Sequence, residues 1–198
     1  MNLILASKSP YRKHQLQSLG YSFTVVPANI DESRLRGEAP RQLALRLARE
    51  KARKVSLENP EATVIGSDQV GFNDRGILEK PGNNERAVDQ ISRLAGQVVT
   101  FETALVVRSP TEREFFDTIT TTIGFRNFTR GEAETYVGLD EPFDCVGAFK
   151  SEMHGPLLFE WVRSDDPSAL VGLPLIRTSD FLRELGINPL APLDSNNR

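Results

Sequence analysis

The stretch QVVTFETALVVRSPTEREFFDTITTTIGF, residues 97–125, carries β-branched and aromatic residues on both sides of a polar turn and reads as two long strands. What precedes it alternates between short apolar runs and helical patterns. Leu3-Ile4-Leu5-Ala6 reads as a buried strand, and Ser9-Pro10 then supplies an N-cap and a first helical position, with Gly20 as the stop. YSFTVVP reads as a strand and ANIDESRLRGEAP as a polar loop. From Pro40, the residues Leu43, Leu47, Ala48, Ala52 and Val55 recur at helical spacing, which leaves Glu50 and Lys51 on the polar face. ATVIGSD reads as a short buried strand ending on Asp68, where open α/β sheets gather ligand chemistry. Strands and helices so mixed predict an α/β fold, a mixed β-sheet with helices on its faces.

The remaining elements follow the same rules. Residues 73–76 give a turn signal, NNERAVDQISRLAG a helix stopped by Gly96, and Thr129 with Glu132 a capping box. GAFKSE and PLLFEWV read as further strands, and PLIRTSDFLRELG as a closing helix ending at Gly186. The ending LDSNNR reads as a frayed tail. Residues 1–198 are long enough to bury the core of a single domain.

Charge and cysteine content narrow the function. A net charge of -3 argues against a broad surface for a nucleic-acid polymer, while leaving room for a local cationic cleft that takes a small anion. The single cysteine, Cys145, excludes an intrachain disulfide; with no apolar segment of membrane-spanning length and no signal-like N-terminus, the expected setting is cytoplasmic and away from membranes. GFNDRGIL has Ile77 where a P-loop needs lysine, GSDQVG is not a nucleophile elbow, and His14 and His154 lack paired-ligand spacing, so both read as surface histidines.

What does recur is a charged residue at the edge of an apolar segment: Arg12, Glu32, Lys51, Asp68, Lys80 and Lys150. Taken singly, each reads as a solvated helix face or a turn residue. Taken together they fit a polyphosphate pocket. The cations, with Lys8 and Lys13 near the positive end of the first helix dipole, would neutralise phosphate oxygens; Glu32 and Asp68 would offer oxygen ligands to a hard divalent cation.

LILASKSPYRK, DES at 31–33, EKA at 50–52, GSDQV around Asp68, EKP at Lys80 and GAFKSE at Lys150 stand in an order and spacing that resembles the Maf family across nearly the whole chain. The resemblance implies an elongated, ITPase-like α/β fold with two lobes and a central cleft, usually a homodimer, using a divalent metal such as Mg²⁺ or Mn²⁺. The implied activity is a nucleoside triphosphate pyrophosphatase, cutting between the α and β phosphates. On the same footing, Asp68 is the proton acceptor for water, Ser7, Arg12, Lys51, Lys80 and Lys150 are phosphate-binding, and Glu32 lies near the metal.

Three positions divide that family by base. Tyr11, Gln69 and Glu152 differ from the Arg, Thr and Gln of the branch acting on dTTP and UTP, and resemble the branch that hydrolyses 7-methyl-GTP, although that branch commonly has Trp where Tyr11 stands. A cationic methylated guanine favours an aromatic face, and a carboxylate accepts from its N1–H and exocyclic amine. The alternatives are the same chemistry on dTTP, UTP or another nucleotide, a nucleotide-binding regulator of septum formation without turnover, and a partner-binding protein that kept the fold.

Overall fold

The computed structural model describes residues 2–191, and the polar ending LDSNNR, residues 193–198, lies outside them. The chain order is β1 (Asn2–Leu5), α1 (Pro10–Ser18), β2 (Thr24–Val25), α2 (Pro40–Glu58), β3 (Ala62–Asn73), β4 (Gly76–Ile77), α3 (Asn84–Leu94), β5 (Val98–Arg108), β6 (Glu114–Phe125), α4 (Arg130–Asp140), β7 (Phe159–Ser164) and α5 (Leu175–Glu184). Short 3-10 turns occupy Val146–Ala148, Gly155–Leu158 and Pro167–Val171. One mixed sheet runs β2-β1-β3-β5-β6-β7, with β4 paired to β3.

The long strands appear where β-branched density placed them. β5 and β6 pair antiparallel from Val98↔Gly124 to Arg108↔Glu114, and β3 lies antiparallel along β5 from Val64↔Arg108 to Phe72↔Thr100. β1 joins the other edge of β3 in parallel only as far as Leu5↔Ile65, and β4 takes up that edge at Phe72↔Ile77. Between those two pairings the edge of β3 lies open. It is the gap around which the site is built.

Three apolar clusters divide the interior. One packs α2 against β1, β3 and β5 through Leu43, Leu47, Ala52, Val64 and Val106; a second fills the opposite face with Leu5, Leu16, Ile65, Leu105 and Leu182. The third, around Ile91, Phe101, Ile123, Tyr136, Phe149 and Phe159, forms the other lobe at the far end of β5 and β6. Burying one such side chain stabilises by about 1.5–3 kcal/mol, so each cluster is a substantial core.

α2 sits close enough to the sheet to need a glycine beneath it. A Cβ at Gly66 would overlap the Ala48 carbonyl oxygen and crowd the Ala52 backbone. Gly66→Ala is therefore expected to destabilise the fold by about 1–3 kcal/mol, the usual cost of overpacking a tight contact, read as a lower denaturant midpoint.

Some expectations need correction. β3 does not stop at Asp68 but runs on to Asn73, because β5 pairs with it throughout. YSFTVVP contributes only Thr24–Val25 to the sheet. GAFKSE is not a strand: Val146–Ala148 is a 3-10 turn containing Gly147 at φ 81°, and residues 151–154 form a turn. PLLFEWV starts in the Gly155–Leu158 turn and becomes a strand only at Phe159.

Candidate active site

Ser9 starts α1 as the sequence predicts: its Oγ accepts from Arg12 N at 3.3 Å with Pro10 at the first helical position. Ser7 Oγ accepts from Ser9 N at 3.1 Å, which tightens the turn out of β1. The positive end of the α1 dipole thus faces the open edge of β3. There a cavity of about 620 Å³ lies between the lobes, within the range of small-molecule sites. Ser7, Tyr11, Arg12, Glu32, Lys51, Asp68, Gln69, Lys80 and Glu152 all contribute to its wall.

At its centre Lys51 Nζ donates to Asp68 Oδ1 at 2.6 Å and pairs with Glu32 Oε1 at 2.7 Å. The helical pattern assigned Lys51 to the solvated face of α2; instead it is buried, with 8% of its surface exposed. Alternation along β3 explains the meeting, since Val64, Gly66 and Asp68 share the face that α2 covers. Burial opposes the Glu32 carboxylate, but the hydrogen bond and charge of Lys51, with Lys80 and Arg12 beyond, hold it below its ordinary range.

Arg12 reaches across to the last loop, its Nε donating to Gly172 O at 2.7 Å. Burial lowers the guanidinium from its ordinary value, and the charges of Asp68 and Glu32 work against that shift. The same carbonyl accepts from Ser67 Oγ at 2.9 Å. Gly172 sits at φ 128°, a conformation that side-chain-bearing residues rarely adopt, and this turns its carbonyl toward both donors.

Gln69 lines the cavity, with its amide nitrogen engaged on the far side. Its Nε2 donates to Thr103 Oγ1, Ala169 O and Leu170 O at 3.1, 2.9 and 3.0 Å, so the amide nitrogen anchors the Pro167–Val171 turn and is not free to read a base. Lys150 is elsewhere: its Nζ donates to Asp140 O at 2.7 Å, and it is absent from the cavity wall among the described residues. Of the five cations and hydroxyls expected to bind phosphate, the structure brings Ser7, Arg12, Lys51 and Lys80 together and leaves Lys150 out.

Sequence reasoning missed Asp144 and Cys145 on the opposite wall. Tyr11 Oη donates to Asp144 Oδ1 at 2.9 Å, and the Cys145 thiol donates to Tyr11 Oη at 3.5 Å. Burial pushes the Cys145 thiol up to about 11, which keeps it protonated and unreactive at neutral pH. No local signal in EPFDCVG announces this bridge across the cavity. The 167–172 loop was missed as well, though a signal stood in the sequence: Asp166-Pro167-Ser168 is an Asx-capping pattern, and Asp166 Oδ1 accepts from Ser168 N at 3.2 Å.

The chain matches the Maf-like protein family over residues 2–185, nearly its whole described length. It belongs to that family. This Maf-like chain is 47% identical over 188 residues to the 7-methyl-GTP pyrophosphatase of Polaromonas sp., covering 93% of this chain and 85% of the relative. It is 46% identical over 191 residues to the protein of the same name from Idiomarina loihiensis, covering 95% and 96%. Among solved structures, a HAM1 protein from Coxiella burnetii superposes with a TM-score of 0.50 at 11% identity, over 93% of this Maf-like chain and 99% of that one, a likeness of fold alone.

A divalent cation is compatible with the donor set. Among the described residues no group of three or more His, Cys, Asp or Glu converges as a metal cage. Two carboxylates, Glu32 and Asp68, do converge on the single Lys51 ammonium. Mg²⁺ is commonly held by one or two carboxylates together with substrate phosphates, so this pair fits such an ion better than a dedicated protein cage. No described helix is long and apolar enough to cross a membrane.

Proposed function

We propose that this protein hydrolyses 7-methyl-GTP to 7-methyl-GMP and pyrophosphate, removing a modified nucleotide from the pool. The observation that carries the reading is that one cavity holds both a cation and carboxylate cluster and an aromatic and acidic pair. Lys51 is bonded to Asp68, Arg12 feels the charge of Asp68 and Glu32, and Lys80 that of Glu32, while Tyr11 is bonded to Asp144, and Glu152 shares the same wall. Such a cavity suits a ligand with an anionic tail and a cationic base. The names of the relatives from Polaromonas and Idiomarina support the same substrate.

In this mechanism Asp68 takes a proton from water as its oxygen attacks the α phosphorus, and the bond to the bridging oxygen of the β phosphate breaks, releasing pyrophosphate. Lys51 holds the Asp68 carboxylate in place through its hydrogen bond. Arg12, Lys80 and the α1 dipole neutralise the phosphates and the developing charge of the leaving group. Mg²⁺ or Mn²⁺ held by Glu32 and Asp68 would supply further charge neutralisation on the phosphates. A chain with one cysteine forms no intrachain disulfide, and a cytoplasmic setting for this chemistry is part of the proposal.

At the base end the bond to Asp144 fixes the Tyr11 ring, and an aromatic face attracts a cationic purine by about 0.5–2 kcal/mol. Glu152 accepts from the guanine N1–H and exocyclic amine, an arrangement that a uracil or thymine carbonyl cannot satisfy. Glu152→Gln is expected to lower the preference for 7-methyl-GTP over UTP by about 10- to 100-fold, the value of a charged hydrogen bond. The test follows pyrophosphate and free phosphate separately with Mg²⁺ or Mn²⁺ and a panel of 7-methyl-GTP, GTP, dTTP and UTP. A wild-type enzyme that prefers dTTP or UTP would overturn the substrate assignment; binding of nucleotides with no turnover would overturn the enzyme.

A further inference from the structure

The loop of residues 150–155 carries Glu152 to the cavity, and its own anchorage lies outside the cavity wall. Both Met153 N and Gly155 N donate to Lys150 O, at 3.3 and 3.0 Å, so the loop closes on itself. A Cβ at Gly155 would overlap that carbonyl, so the closure leaves no slack. The closed loop is then tied to α4 at four points. Lys150 N donates to Tyr136 Oη at 2.9 Å and Lys150 Nζ to Asp140 O at 2.7 Å. His154 N donates to Asp140 Oδ2 at 3.2 Å, and His154 Nδ1 lies 2.5 Å from Asp140 Oδ1.

Asp140 is an expensive place for a carboxylate. Its side chain is fully buried, at 0% exposure, and it is the last residue of α4, where the negative end of the helix dipole disfavours an anion. Both of its oxygens are used on one residue, His154, whose ring is half exposed. These contacts to the loop offset much of the cost, with the Tyr136 hydroxyl as a further neighbour on α4. Nothing in the catalytic chemistry uses either residue, and neither lines the cavity.

We infer that Asp140 and His154 are positioning residues for base recognition: their contact fixes the 150–155 loop, and through it sets Glu152 at the base end of the cavity. The inference rests on the substrate reading above. It also gives Lys150 a role, as part of the anchorage of that loop. A carboxylate displaced by about 1 Å loses much of a directional hydrogen bond, so a defect in the clamp acts on base binding and leaves the phosphate end intact.

The test compares wild type, His154→Leu, His154→Gln, Glu152→Gln and the His154→Leu/Glu152→Gln double variant in full-length protein, with 7-methyl-GTP and UTP as substrates. Expected for His154→Leu is a rise in KM for 7-methyl-GTP of about tenfold, with kcat held within about twofold and little change toward UTP. His154→Gln, which keeps a donor on the side chain, is expected to recover most of the preference. On the Glu152→Gln background His154→Leu should add nothing, since the two act through one contact. Independent, multiplying losses in the double variant, or an unchanged KM in His154→Leu, would overturn the inference while leaving the substrate reading in place. A wild type without preference for 7-methyl-GTP would instead bring down the substrate reading and this role with it. Should His154→Leu fail to fold, an unchanged KM ratio with Gln and with Asn at residue 154 would count against the clamp, and a graded loss from Gln to Asn would support it.

Discussion

Asp68→Asn is expected to lower kcat for pyrophosphate release by about a thousandfold, within the range that a positioned general base contributes, and to change KM little. The substitution keeps the volume and removes the proton acceptor. Lys51 retains Glu32 as a partner at 2.7 Å, and Arg12 retains its bond to Gly172 O, so the phosphate end keeps its shape. Steady-state kinetics on the variant, with circular dichroism to confirm the fold, decide the matter. A kcat within tenfold of wild type would mean that water is activated elsewhere, and Asp68 would become a partner of Lys51 and no more.

The second large effect is one of stability. Lys51→Met removes the cation between two carboxylates, of which Asp68 is buried and Glu32 is the more exposed. Breaking a buried pair in this way costs about 3–5 kcal/mol, because the remaining charge is left without a partner. For a chain of this size such a loss lowers Tm by roughly 6–20 °C. The dependence on pH has a definite sign. Glu32 is held below its ordinary range in the folded state, so its contribution is present above the ordinary carboxylate pKa and is lost as pH falls through the lowered value. The stability gap between wild type and Lys51→Met should therefore be widest near neutrality and narrow below about pH 4, as Glu32 takes up its proton. Denaturant melts of both proteins at pH 7 and at about pH 3 read this directly; a gap that stays constant would show that Lys51 stabilises through packing of its stem.

Periodicity made most of the fold legible. The apolar spacing from Leu43 to Val55 yields α2, the β-branched stretch at 97–125 yields the long hairpin, and the Thr129–Glu132 box opens α4, with Glu132 Oε2 accepting from Thr129 N at 2.7 Å. Local rules failed where tertiary contact decides. Lys51 reads as solvated because its helix face is polar in sequence, yet the companion carboxylate that draws it inward stands seventeen positions away on β3. Gln69 and Lys150 were recognised as positions, but which atoms they spend on backbone carbonyls depends on loops that no spacing predicts. The bond between Tyr11 and Asp144 spans 133 positions and joins two lobes, and nothing local encodes it.

The antiparallel pairing of β5 with β6, unbroken from Val98↔Gly124 to Arg108↔Glu114, also decides how the molecule is able to move. Strands of 11 and 12 residues extend for roughly 35 Å at about 3.4 Å per residue, so one ribbon forms the floor of both halves. Such a beam flexes by twisting along its length; folding it sharply would break rungs of the ladder. Opening for a nucleotide and release of its products therefore leave the beam as it is and fall to segments hung over it, such as residues 28–32, since the 150–155 loop on the other bank is tied to α4. Asp68, paired with Ala104 of β5, rides on this stiff part of the molecule, so a segment that moves above it leaves its carboxylate in register.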